Sequence, residues 1–268
     1  MKIPVLRIYT VAYLIFLYLP IVILPIFAFN NATVVAFPLR GFTTEWFSAV
    51  WADTELRGAL VNSLIVASST SVLATAFGVF AARASTRYSF PGKGPLMGLI
   101  MLPMVLPEMI MAMALLVVLL SLGVKLSLFT VILGHVLVCT PFAVAILTSA
   151  FQSLDKSLEE AAYDLGEGPV STFRLVILPL VTPGIISAML ISFTISLDEF
   201  IVSNFLKSGE ELLSTFIYSK LRFPKYVPSI MALGTILVCV SITLLTLAEF
   251  FRRRGVARTG GKDTGGFL

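Results

Sequence analysis

The sequence predicts an all-α integral membrane protein with six spanning helices. Three observations lead there: an apolar composition, apolar runs of spanning length, and charges gathered between those runs. Of the 268 residues, 57% are hydrophobic and only 13% charged, with mean hydropathy +0.98. Soluble domains carry about 25% charged residues, so the membrane class is favoured before any motif is read. A spanning helix needs about 20 mainly apolar residues. Six stretches qualify: Ile8–Phe29, Leu60–Ala82, Leu96–Leu122, Phe129–Ala150, Gly184–Leu206 and Ser229–Phe250.

Lys2 and Arg7 before the first run suggest a leader peptide. The run is longer than a 7–15-residue leader core and no A-x-A site follows, so it is predicted to stay as a span. Six spans put both termini on one side, and the Lys/Arg bias names it. The N-terminus, the 83–94 loop, the 151–183 segment and the tail hold 12 of these residues, against 7 on the other side. The termini are therefore expected in the cytoplasm. The net charge of +4 is spread over loop ends, which topology explains better than nucleic acid does. The tail, 251–268, is basic and Gly-rich and is expected to be disordered. On the outer side, Trp46, Phe47, Val50 and Trp51 share a helical face, as do Leu212, Leu213, Phe216, Ile217 and Leu221. Both faces suit helices lying in the membrane interface, and the competing reading is a docking or gating surface on the outer side.

The segment Leu158–Val181, "LEEAAYDLGEGPVSTFRLVILPLV", is charged in an otherwise apolar chain. Ser157 followed by Glu160 fits a capping box. Leu158, Ala161, Ala162 and Leu165 then form one apolar stripe, with Glu159, Tyr163 and Asp164 away from it. Gly166 suits the left-handed position after a helix end, and Pro169 can open a second helix. Val170, Phe173 and Ile177 continue an apolar face, and Pro179 and Pro183 are expected to break it before the next span. A helix this short needs a packing partner, either the chain's own spans or another protein.

Glu160-Ala161-Ala162, then Gly166, then Leu178-Pro179 with Val176 two residues before the leucine, resembles the signature loop of ABC importer permeases. The resemblance runs from about Leu56 to Phe250. "LPMVLPEMIM" (102–111), "GHVLVCTPF" (134–142) and "ISLDEFIVSNF" (195–205) are similar to the spermidine/putrescine branch. It implies a type I ABC importer permease in a bacterial inner membrane. The expected partners are a second homologous permease, two ATP-binding cassette subunits and a periplasmic substrate-binding protein. It also implies that Glu160, Ala161, Ala162, Tyr163, Asp164, Gly166, Leu178 and Pro179 couple to the ATPase, with Pro179 ending the element. The domains expected on this basis are 1–55 (first span and outer loop), 56–250 (permease core with coupling loop 152–183) and the 251–268 tail.

The residues bear on the chemistry separately. The nearest approach to a phosphate-binding loop is "GGKD", where Lys262 precedes Asp263 instead of Ser or Thr and no apolar strand comes before it. No HExxH, GxSxG or Cys/His nucleophile pattern occurs. The chain is thus expected to bind no cofactor and not to be an enzyme, with ATP and Mg2+ used by a separate subunit. Cys139 and Cys239 lie far apart in apolar runs and read as small buried hydrophobes. His135, the one histidine, reads as a hydrogen-bonded structural residue.

Carboxylates inside spans are costly and point to function by default. Glu108 follows Pro103 and Pro107 midway along the third span, and Asp198 and Glu199 lie along the fifth. Adjacent residues point about 100° apart, so Asp198 and Glu199 should face different walls. Glu108 and Asp198, with Glu199 secondary, are candidates to line a cation path, with Phe193 and Phe200 supplying aromatic faces for ammonium groups. The plain alternative pairs these acids with Ser, Thr, Asn204 or the partner permease. Other cargoes in the same family (an opine or amino-acid-like amine, thiamine, ferric ion) and a stand-alone secondary transporter or channel are the competing functional readings. Gly78/Ala82 and Gly184/Ala188 are spaced for close helix packing.

Overall fold

The computed structural model describes residues 3–33, 35–240 and 242–243. The tail and the end of the sixth predicted span lie outside the described residues. The chain divides into two compact units, 1–54 with 217–268, and 55–216.

In the first unit, α1 (Ile3–Ala28) carries Pro20 and Pro25 in its interior. Its apolar side chains from Leu6 to Val22 are mostly exposed, as suits a helix facing lipid or a partner. The chain then turns at the buried Asn30, whose carbonyl accepts from Trp46 Nε1 (2.9 Å) and whose Oδ1 accepts from the Arg40 amide (3.0 Å). Trp46 lies in the first turn of α2 (Glu45–Ala52), and the Phe47 ring lies 4.9 Å from Phe29. On the predicted apolar face of α2, Val50 is buried, but Trp51 is 78% exposed. The last described helix, Pro224–Val240, brings Gly234 against Leu24 of α1. Cys239, expected to be buried, is exposed on this helix, because it lies on the outward side.

The second unit holds the core. α3 (Thr54–Arg87) buries a stripe of small residues, Ser63, Ala67, Thr70, Ser71, Ala74, Thr75, Gly78 and Ala82. α6 (Leu128–Gln152) is the most buried helix and packs broadly on α9 (Leu178–Asp198). Two glycines permit the close approach. A Cβ at Gly78 would lie 3.0 Å from Ala143 Cβ, and one at Gly184 would lie 2.6 Å from Ala150 Cβ. Both glycines belong to the small-residue pairs read from the sequence, and Ala82 and Ala188 are fully buried beside them. Phe151, Leu147, Ile177 and Val181 close one end of this core. Val66, Met111, Leu119, Val131, Val202, Leu206 and Leu212 form a second cluster. Leu212, Leu213 and Phe216 are buried there, and the Leu213 amide donates to Ser63 Oγ (2.7 Å). The first part of this face packs against the protein, while Ile217 is half-buried and Leu221 exposed.

Two predicted spans are broken. The third is α4 (Lys93–Val105) and α5 (Glu108–Ser121), bent by 110° at Leu106–Pro107. Proline disfavours helical geometry at the residue before it, and Leu106 is extended (φ −78°, ψ 143°). The fifth is α9 and a short α10 (Ile201–Leu206), separated at Glu199–Phe200. Conversely, Pro179 and Pro183 do not break the chain. One continuous helical run extends from Pro169 to Asp198. It passes from α8 (Pro169–Thr172) through a π-helical turn, Phe173–Ile177, into α9. The wider turn absorbs the backbone register that a proline disturbs. Pro179 therefore sits inside an element instead of ending it.

Candidate functional site

Two sites emerge, one at each of the segments singled out by charge. The first is the loop from 153 to 177. Its leading helix, α7, covers Ser157–Asp164. The expected Ser157/Glu160 capping box is absent. Lys156 already has helical geometry, and the Asp155 carboxylate instead accepts from the Ser157 amide (3.0 Å). That bond holds the Asp155 carboxyl below its ordinary pKa, with Arg87's charge a smaller contribution. The stabilisation is therefore present at neutral pH and is lost as pH falls through that lowered pKa. The C-terminus follows expectation. Gly166 is left-handed (φ +88°), its amide donates to Tyr163 O (2.9 Å), and the Glu167 amide donates to Ala162 O (3.0 Å). These paired bonds are the Schellman arrangement that closes a helix on glycine. Ser171 then donates to the Glu167 carboxylate at the start of the next helix.

The face that α7 turns to the protein differs from the predicted stripe. Ala162 is buried, but Leu158, Ala161 and Leu165 are exposed, Leu165 at 87%. Glu159 points inward instead, meeting Arg87 Nε at 2.5 Å, with both side chains largely buried. Arg87 Nη2 also donates to Leu154 O (3.0 Å). A turn earlier on α3, the Arg83 guanidinium stacks over Phe173, 4.4 Å from the ring centre. α7 and the π turn are thus fastened to the end of α3, while Leu158, Leu165 and Val170 project outward with Glu160, Tyr163 and Asp164. Leu178 is half-buried and Pro179 exposed, one helical stretch further on.

The second site lies where the broken spans meet. Glu108 is the first residue of α5, and α5 packs on α10. The two acids read on separate spans thus stand at the breaks of two spans whose halves α5 and α10 pack together. Glu199 is 8% exposed, and its Oε1 accepts from the Val202 amide (3.0 Å), capping α10. Asp198, the last residue of α9, is exposed, as is Glu108. The adjacent acids do face different ways. Phe193 and Phe200 are both half-buried. His135 is fully buried between the two halves of the fifth span, with Ser196 and Ser203 on its ring nitrogens.

Sequence reasoning missed Asp155, Glu159, Arg87 and the hydroxyl partners of His135. Only Asp155 had a local signal: it is a capping-type residue two positions before the helix.

A helical membrane bundle with two broken spans and a fastened surface helix is the architecture of a transport permease. The chain belongs to the family described as binding-protein-dependent transport system inner membrane component, which matches residues 74–259. It is thus a permease component of an ABC importer of the inner membrane, a component that is not itself catalytic. It is 33% identical over 240 residues to the spermidine/putrescine transport system permease protein PotC of Haemophilus influenzae, covering 89% of this chain and 93% of that one. It is 34% identical to PotC of Escherichia coli strain K12 (89% and 90% covered). The putrescine transport system permease protein PotI of the same strain is 32% identical (83% and 82%). The fold is shared with a bacterial ABC transporter that imports the acidic polysaccharide alginate: TM-score 0.70, 16% identity, 93% of this chain and 94% of that one.

Proposed function

We propose that this chain is one of two membrane subunits of a polyamine importer, with six spans and cytoplasmic termini. Two separate ATPase subunits bind ATP and Mg2+, and a periplasmic binding protein delivers the cargo. ATP-driven closure of the ATPase pair moves the segment from α7 to α8, and the spans alternate between outward and inward access. This chain binds no cofactor.

The observation that carries the cargo class is that Glu108 and Asp198 stand exposed at two helix breaks, in spans whose halves α5 and α10 pack together. Exposed carboxylates at broken helices suit a multiply charged amine, and half-buried Phe193 and Phe200 add aromatic faces. Glu199 serves chiefly as the cap of α10, so Glu108 and Asp198 are the main cargo contacts. In the restored operon of a deletion strain, Glu108→Gln and Asp198→Asn are each expected to cut uptake of labelled putrescine and spermidine by about tenfold, the effect of losing one charge-assisted contact. Unchanged uptake and unchanged preference between the two amines would refute the cation path.

The outward face of α7 supports the coupling role. Leu158, Ala161 and Leu165 are exposed in the single chain, and burial against an ATPase groove would supply the partner a short helix needs. Glu160 makes no capping box, so its charge is free for that contact. Glu160→Gln is expected to weaken ATPase co-purification and uptake together, leaving the permease level in the membrane unchanged. Normal coupling in that variant would reduce the contact to the apolar face and the Gly166 turn.

A further inference from the structure

His135 sits in α6, fully buried, with both ring nitrogens engaged. Nδ1 lies 2.7 Å from Ser196 Oγ and Nε2 lies 2.9 Å from Ser203 Oγ. Ser196 belongs to the last turn of α9 and Ser203 to the first turn of α10, so one imidazole bridges both sides of the Glu199–Phe200 break. The proton positions follow from the network. Ser203 Oγ donates its single hydrogen to Glu199 O at 2.7 Å. Its contact with Nε2 must then be received, which puts the imidazole hydrogen on Nε2. Nδ1 is left bare and accepts from Ser196.

The neighbouring residues serve the same geometry. A Cβ on Gly134 would stand 2.5 Å from both Val202 Cγ1 and Leu206 Cδ1, so the missing side chain lets α10 lie directly on α6. Thr130 Oγ1, one turn earlier on α6, lies 2.8 Å from Leu206 O. Ser214 Oγ donates to Glu199 O from a further direction (3.1 Å). The Glu199 backbone and side chain are thus both held, and Asp198 is left outside the network.

We propose that His135 is a positioning residue of the transport path. It holds the ends of α9 and α10 together, so that Asp198, and not Glu199, presents its carboxylate to a cationic cargo. The cargo half of this statement rests on the cation path proposed above; the positional half does not.

The test separates the two. In the full importer, with Cys139→Ala and Cys239→Ser, single cysteines are placed as Asp198→Cys or Glu199→Cys. Their reaction with a membrane-impermeant, charged thiol reagent is timed. Residue 198 is expected to react much faster than residue 199. Adding His135→Leu, Ser196→Ala or Ser203→Ala is expected to shrink that contrast by about five- to tenfold, the equilibrium shift that loss of one buried hydrogen bond produces. In the parent cysteine background, the same three changes should raise KM for putrescine and spermidine more than they lower maximal uptake. His135→Gln, which keeps a donor and an acceptor, should recover part of both effects. Should His135→Leu fail to assemble, the two serine variants carry the test, since each deletes one hydroxyl only. An unchanged 198/199 contrast in the serine variants overturns the positioning role. A contrast that depends on His135, in an importer whose uptake ignores Asp198→Asn, overturns the cargo path and leaves the positioning role standing.

Discussion

Reversing the charge of Arg87, as Arg87→Glu, is expected to abolish uptake and to release the ATPase from the membrane complex. The Arg87–Glu159 pair is 2.5 Å apart, and its side chains are only 9% and 13% exposed. Removing one partner from such a pair leaves the other charge buried and unpaired, at about 3–5 kcal/mol. A helix of eight residues cannot absorb that loss, since isolated helices of this length are already marginal. Glu159→Arg alone should behave like Arg87→Glu. The double exchange, Arg87→Glu with Glu159→Arg, should restore part of the coupling, because the pair is rebuilt with its sense inverted. Full recovery is not expected, as Arg87 also donates to Leu154 O and a glutamate there cannot. ATPase co-purification and uptake, measured side by side, read the result. Equal loss in the double variant and the singles would show that the pair does not act as a unit.

The second large effect is expected at Gly184. Its missing Cβ would stand 2.6 Å from Ala150 Cβ, and a Cβ is not the flexible end of a side chain. Backbone must therefore move, and it must move at the broadest helix contact in the core, α6 on α9. Gly184→Leu should lower stability by about 1–3 kcal/mol or more through overpacking. The check is thermal unfolding of the purified importer. Gly98→Ala is the control: nothing lies within 4 Å of a Cβ there, and alanine is the better helix former. A Gly98→Ala loss as large as that of Gly184→Leu would count against close packing as the cause.

The spans were legible because length and hydropathy are local properties: α6 agrees with the sequence within two residues, while α1 starts five residues earlier and α3 extends beyond its predicted span by six residues at its start and five at its end. The break at Leu106–Pro107 was half legible, since Pro103 and Pro107 were in view but a 110° bend was not. The break at Glu199–Phe200 left no local trace. No glycine or proline marks it, and it is held by Val202, Ser203, Ser214 and His135, two of which lie far from it in sequence. The loop gave a similar lesson. Helical periodicity put Leu158, Ala161, Ala162 and Leu165 on one stripe and Glu159 off it, which is true of the helix alone. It could not say which side faces the protein, because that depends on Arg87, 72 residues away along the chain. The cap moved by two residues because Asp155 and Ser157 are both able to supply it, and the geometry of Lys156 decides between them.

With 34 residues, α3 is about 50 Å long, well beyond the ~30 Å of hydrocarbon it crosses. The excess makes it an outrigger. A tilt of 5° about one end carries the other through about 4 Å at this length. Arg83 and Arg87 ride at that far tip, so small angular changes within the bilayer would become displacements the size of a side chain at that end. The close approach of Gly78 to Ala143 would carry α6 with any such tilt. A long shaft would thus gain stroke while the packing along its length stays closed.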